Sequence, residues 1–150
     1  MIRPTRIGHV VLKARDLKEA ETFYTEVLGF EVVTRLRKPR GIFFSLGEQH
    51  HDLAVLEVDG GDEGPQKDAI GVHHIALRLK NLTELKEGYH TLKQNNVRIT
   101  GTIDHGITKS VYFLDPAGNQ FELYYDVGTD GLERIRRGEG DALKPLDLDG

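Results

Sequence analysis

The heptapeptide GVHHIAL, residues 71–77, sets His73 beside His74 in a run that otherwise reads as a short buried strand. Successive side chains of an extended chain point to opposite faces, so at most one of the two imidazoles looks into any one pocket. Another histidine in a similar setting occurs early, His9 in GHVVL, and a carboxylate, Glu122, sits in the apolar run FELYY, where a strand favours Val or Ile. Two imidazoles and one carboxylate, with further coordination positions open, form the facial triad suited to non-haem Fe(II), and Mn(II) accepts the same set. Each residue alone has a plainer reading. A histidine in a core strand is more often a hydrogen-bonded packing residue, and a strand glutamate more often faces solvent.

What raises the three together is a repeat. Sliding the chain by 65 places lays IGHVVLKARDLKEAETFY (7–24) on VHHIALRLKNLTELKEGY (72–89) without a gap, matching His9 with His74, Leu17 with Leu82, Glu19 with Glu84 and Tyr24 with Tyr89. A slide of 68 lays residues 41–60 on residues 109–128, setting Phe44 on Tyr112, Leu46 on Leu114 and Ala54 on Glu122. Equivalent positions of two copies face equivalent directions, so His9 and His74 form a pair. His73 matches Gly8, and is expected on the other face or in a supporting hydrogen bond.

Each copy reads as βαβββ. An apolar run makes the first strand, and Asp16 with Glu19, or Asn81 with Glu84, starts a helix in the manner of a capping box. Leu17, Ala20, Phe23, Tyr24 and Leu28 give the first helix an apolar stripe that Gly29 is placed to end; Leu82, Leu85, Tyr89 and Leu92 do the same for the second. Three short strands then follow in each copy, near 31–37, 41–46 and 52–58, and near 97–102, 109–114 and 119–125. The expected fold class is α+β, with two pseudo-symmetric βαβββ modules forming a curved mixed sheet around a metal-binding cavity. One domain spans 1–126: module one about 5–58, a Gly-rich linker 59–70, and module two about 71–126. Residues 127–150 form an extension with one short helix near 131–137 and a polar tail expected to pack loosely or to meet a partner subunit.

Composition narrows the function classes. A chain of 150 residues can bury roughly 68–70% of its unfolded surface without staples. Its 20 basic and 24 acidic residues give a net charge of -4 with no basic block, which argues against a nucleic-acid partner. With no cysteine there is no disulfide, thiolate metal site or cysteine nucleophile. The N-terminus lacks the apolar stretch of a signal peptide and no window approaches a membrane span, so a cytoplasmic, membrane-free protein is expected.

The pattern GHVVL, FYTEVLGFEVV, HHIAL, HG and YFLDPAGNQFELYYD resembles the vicinal oxygen chelate superfamily over about residues 6–126, a group that includes extradiol dioxygenases, glyoxalase I, fosfomycin-modifying enzymes and bleomycin-binding proteins. YFLDPAGNQFEL is shared across these branches, so the other residues must choose among them. A glyoxalase-type site takes a second carboxylate from the last strand of module one, where this chain has Ala54; Glu57 lies three residues on, at the opposite parity. Extradiol dioxygenases, with catechol 2,3-dioxygenase as the familiar example, add three supporting groups. The chain offers His51 in QHHDLAV, His105 in DHGITKSVYF and Tyr112, ten residues before Glu122.

The resemblance implies His9, His74 and Glu122 as metal ligands. It implies His51 as a base and then an acid beside oxygen, with His105 and Tyr112 hydrogen-bonding the substrate oxygens. His90, on the second helix, has no such counterpart and reads as surface. The reaction implied is Fe(II)-dependent cleavage of a catechol-type ring beside its diol, with both atoms of O2 inserted. The substrates would be a small aromatic diol and O2. Many such enzymes carry two of these domains, so the one-domain branch is the nearer match; short members commonly form homodimers, and in some the modules pair across subunits. The alternatives are a glyoxalase-type lyase or isomerase, a thiol transferase, and a non-catalytic small-molecule binder. Phe43, Leu53 and Tyr124 are candidate pocket walls by strand parity.

Overall fold

The computed structural model describes residues 1–61 and 63–150, and the chain divides into two compact units, Met1–Gly64 and Pro65–Gly150. The boundary falls inside the Gly-rich segment expected as a linker. The chain is α+β, with one mixed sheet in each unit.

In the first unit, β1 (Val10–Ala14), β2 (Glu31–Arg37), β3 (Arg40–Ser45) and β4 (Leu53–Glu57) form a sheet of order β1-β4-β3-β2. β1 and β4 run parallel and the other pairs antiparallel. Helix α1 (Leu17–Thr22) starts where the Asp16 carboxylate accepts from the Glu19 amide at 3.0 Å, satisfying one of the first-turn donors. Rather than continuing as one α-helix to Gly29, the chain widens into a π-type segment, Phe23–Val27, with the Leu28 amide donating to the Phe23 carbonyl. Gly29 closes it at φ 76°, a left-handed conformation that glycine adopts without steric cost. Phe23, Tyr24 and Phe30 are all buried, and Tyr24 lies 5.3 Å from the Phe44 ring. This aromatic cluster fills the helix-covered side of the sheet.

The second unit repeats the plan with β5 (Ile75–Arg78), β6 (Ile99–Asp104), β7 (Thr108–Leu114) and β8 (Gln120–Asp126). The order is β5-β8-β7-β6, again with a parallel β5·β8 pair. Helix α2 (Leu82–Gln94) is capped by Asn81, whose side chain accepts from the Glu84 amide, and packs Leu85 and Leu92 against β7 and β8. Val111, Phe113 and Phe121 lie fully buried. Both second strands are interrupted by an irregularity at the matching place, between Val32 and Thr34 and between Ile99 and Gly101.

The repeat holds with one correction. Leu53 and Phe121, 68 residues apart, occupy the same register position, opposite Val10 and Ile75 respectively. Their antiparallel partners are Phe44 and Phe113, which are 69 apart. The ungapped slide therefore fails by one residue on the third strand. Phe43, opposite Ala54, takes the place of Tyr112, opposite Glu122, and the equivalence of Phe44 with Tyr112 is wrong. The connection between the third and fourth strands runs 46–52 in one unit and 115–119 in the other, so loops of different length absorb the slip.

The extension also departs from expectation. Helix α3 (Gly131–Arg136) sits where a short helix was read, but the tail does not pack loosely: β9 (Lys144–Pro145) pairs with β6, and Leu148 is buried at 2% exposure within the second unit. Among the described residues, no helix is long and apolar enough to cross a membrane.

Candidate functional site

The parallel pairing of first and fourth strands decides what stands beside what. His9 and His74 each immediately precede the first strand of their unit, so neither lies within a strand as the apolar runs suggested. His74 shares the parity of Ala76, which pairs with Glu122, so its ring lies diagonally across from that carboxylate on the sheet face away from α2. The approach is direct, with His74 Nε2 3.0 Å from Glu122 Oε2. Two atoms bound at right angles to a shared ion at about 2.1 Å stand about 3.0 Å apart, so this spacing fits neighbouring positions on an octahedral ion. The second ring nitrogen of His74 is also engaged: its Nδ1 lies 2.7 Å from His73 Nδ1. A proton held there leaves Nε2 as the free donor atom toward a cation. His73 is thus the supporting hydrogen-bond partner that the repeat allowed.

Glu122 is buried at 7% exposure, and a buried carboxylate must be satisfied to stay charged. Its other oxygen accepts from Ser110 Oγ at 2.5 Å, and Ser110 is fully buried. Ser110 was missed from the sequence. Its signal was nonetheless present, a small hydroxyl two residues before Tyr112 and hence on the same strand face, at the head of the apolar run VYFL.

Tyr112 stands directly opposite Glu122 in the β7·β8 ladder, with its ring edge-on to His74 at 5.4 Å. Its hydroxyl meets His105 Nε2 at 2.9 Å. Burial, with the neighbouring Glu122 charge adding to it, pushes the Tyr112 phenol up to about 12. At neutral pH it is a proton-bearing donor. His105 lies in the β6–β7 turn, held by its amide to the Thr108 carbonyl and by the Gly106 amide to the Asp104 carboxylate. The second unit therefore gathers His74, Glu122, Tyr112, His105 and Ser110 on one side of its sheet.

The first unit gathers a different set. His9 and His51 rings lie 4.2 Å apart, and Phe43 stacks on His51 at 4.1 Å. His50 Nδ1 approaches His51 Nδ1 at 2.6 Å. His51 is buried at 8% exposure, and desolvation, reinforced by His9 and His50 and opposed by Asp52, holds its imidazole below the ordinary value of 6.5. It is a neutral ring at physiological pH. Ala54 is wholly buried where a glyoxalase-type carboxylate would stand, and Glu57 instead pairs with Arg40 at 2.7 Å. Leu53 is buried and Tyr124 half-buried, while His90 is exposed as expected. Among the described residues, no three histidine, aspartate or glutamate side chains gather as a cluster able to hold a metal ion.

Residues 6–123 match the family described as the Glyoxalase/Bleomycin resistance protein/Dioxygenase superfamily. The chain belongs to this superfamily. It is 32% identical over 122 residues to biphenyl-2,3-diol 1,2-dioxygenase 3 of Rhodococcus globerulus, covering 81% of this chain and 63% of that enzyme. It is 29% identical over 123 residues to the lactoylglutathione lyase of Neisseria meningitidis serogroup A, covering 79% and 88% respectively. A glyoxylase/bleomycin resistance protein/dioxygenase domain from Frankia sp. EAN1pec superposes with a TM-score of 0.74 at 20% identity, over 87% of this chain and 99% of that one, and so shares the fold. The superfamily assignment accounts for the paired βαβββ units; the relatives include enzymes of more than one reaction class.

Proposed function

We propose that this chain is an Fe(II)-dependent extradiol dioxygenase that opens a catechol-type ring beside its diol and inserts both atoms of O2. The observation that carries the reading is the second unit's constellation: His74 at 3.0 Å from Glu122, with Tyr112 opposite that glutamate and hydrogen-bonded to His105 at 2.9 Å. An acid–imidazole pair beside a protonated phenol is what a diol substrate needs, a cation-holding corner next to donors for its oxygens.

In this reading His74 and Glu122 would hold the ion, with His9, the counterpart of His74 in the repeat, as the third ligand. Fe(II), when bound, would bring diol and O2 to one centre and carry electron density between them. Mn(II) would satisfy the same donors. The remaining work belongs to side chains. His51, neutral because it is buried among other imidazoles, accepts a proton from the diol and returns it as the ring opens. Tyr112, kept protonated, donates to a substrate oxygen as charge builds there, with His105 orienting the phenol. Phe43 stacked on His51 supplies an apolar wall for a flat ring. Ala54 in place of a second carboxylate favours this chemistry over the glyoxalase-type alternative, since it keeps coordination positions for two small ligands.

The test is reconstitution with Fe(II) under anaerobic conditions, followed by catechol, 3-methylcatechol and 2,3-dihydroxybiphenyl in air. A yellow ring-opened product with stoichiometric oxygen uptake supports the reading. Bound metal with no oxygen uptake on any diol overturns it in favour of a lyase, transferase or binding role.

A further inference from the structure

The C-terminal tail passes the site at Ala142 and then lies against α2, and its path is built. Gly140, at φ 114°, turns the chain back where a side chain would meet Ile135 at 3.3 Å and Ile107 at 3.4 Å. β9 then pairs along β6, with Pro145 opposite Ile103 and Lys144 opposite Asp104. Thr102 Oγ1 donates to the Leu146 carbonyl at 2.8 Å, Leu148 is buried, and Lys93 and Tyr89 of α2 hold the Asp149 carboxylate at 2.8 and 3.3 Å. Within this anchored run the Ala142 carbonyl lies 3.0 Å from His105 Nδ1.

A carbonyl oxygen only accepts, so the nitrogen facing it must carry the proton. We infer that the tail, through the Ala142 carbonyl, fixes His105 as the Nδ1–H tautomer, so that Nε2 is the ring nitrogen left to accept the Tyr112 hydrogen bond or a proton from water. In the neutral ring Nε2 is the acceptor and Tyr112 donates to it. When Nε2 takes a proton from solvent water the bond reverses, and the single phenolic proton is freed to turn toward whatever lies against Glu122 and His74. Ala142 is therefore a positioning residue acting through its backbone. A ring without that carbonyl could equally present Nε2–H, which would hold the phenol as an acceptor and never accept its hydrogen bond. The tautomer itself does not depend on which reaction the site performs.

Long-range proton–nitrogen correlation spectra of the 15N-histidine-labelled full chain, loaded with diamagnetic Zn(II), read the tautomer directly; His105→Gln assigns the signals. The expected result is a protonated Nδ1 and an unprotonated Nε2 at His105. An Nε2–H ring in the full chain overturns the inference at once. In a chain ending at Gly140 the Nδ1–H form should give way to a mixture while His90 is unchanged. A single Nδ1–H form in that shortened protein, with the amide spectrum of α2 and β7 intact, would also overturn it. Should the shortened chain not fold, Leu148→Ala and Gly140→Ala loosen the same tail in the full chain and should shift the same signals.

Discussion

Ser110→Ala isolates the hydroxyl that holds Glu122. The substitution removes one oxygen from a fully buried side chain and leaves no cavity of consequence, so packing changes little and the loss is that of the 2.5 Å bond to the carboxylate. A hydrogen bond to a charged group contributes about 1.5–3 kcal/mol, and the partner here is too buried for water to replace it freely. Metal-free protein should therefore lose about 2 kcal/mol; at a urea m-value of roughly 2 kcal/mol per molar, the unfolding midpoint falls by about 1 M. The second consequence separates support of a ligand from mere stability. A carboxylate free to rotate meets a cation less often in the right orientation, and affinity for Fe(II) or Zn(II), read by chelator competition, should fall about 10–100-fold. A double-mutant cycle with Glu122→Ala apportions the stability effect. A stability change within about 0.5 kcal/mol together with unaltered metal affinity, or a cycle showing no coupling between the two side chains, would show that Ser110 does not hold Glu122 in place.

The other expectations concern neighbouring groups. His74→Ala should lose bound metal and activity, whereas His73→Ala should keep its metal with affinity lowered about 10-fold, measured by metal analysis after dialysis. Tyr112→Phe should lower kcat about 10²–10³-fold in oxygen-uptake assays on a diol, with metal content unchanged. Gly41→Ala should destabilise by about 1–3 kcal/mol in urea melts, because the added methyl would meet the Val55 carbonyl at 2.8 Å and force β3 away from β4. His51 sets a pH dependence of definite sign. Its folded-state value lies below the 6.5 of the unfolded chain, so the unfolded state binds more protons in that interval and stability falls as pH drops below about 6.5. His51→Gln should flatten that acid slope in thermal melts followed from about pH 7.5 to about pH 5.

Much of this was legible in the chain because duplication makes periodicity redundant. Two caps of one kind, Asp16 with Glu19 and Asn81 with Glu84, placed both helix starts, at Leu17 and Leu82. The π-type widening at Phe23–Val27 was not legible, since an α stripe and a π turn can present the same buried aromatics. The off-by-one on the third strand was hidden because Phe43 and Phe44 are the same residue type; only the ladder, with Phe43 opposite Ala54, tells the inward ring from the core one. The tail was misread because Leu143, Leu146 and Leu148 alternate with charges over too short a span to signal a strand, and only Leu148 is fully buried. Ser110 and the Ala142 carbonyl escaped for a related reason, one being a small polar residue after a lysine at the polar end of its strand and the other a main-chain atom that no sequence spells out.

The two copies of the module carry different side chains at matching positions. Both place a histidine just before a parallel strand, and both set a ring on the third strand opposite one position of the fourth. In the second unit that fourth-strand position is Glu122, so the histidine faces a carboxylate and the ring is a phenol. In the first it is Ala54, the ring is Phe43, and the space beside His9 is taken by His51 from the preceding loop. One copy thus presents a buried carboxylate beside an imidazole and a phenol, and the other a neutral imidazole against an apolar ring. Exchanging these features should be costly in both directions. Ala54→Glu would bury a carboxylate beside Phe43 with no equivalent of Ser110 to satisfy it, because the matching position on β3 is Gly41, opposite Leu56 as Ser110 is opposite Tyr124. The expected outcome is a protein destabilised by several kcal/mol in urea melts rather than a second metal ligand. A stable Ala54→Glu protein that binds metal more tightly than the parent would show that the two copies remain interchangeable and that the division of labour argued from Ala54 is not built into the fold.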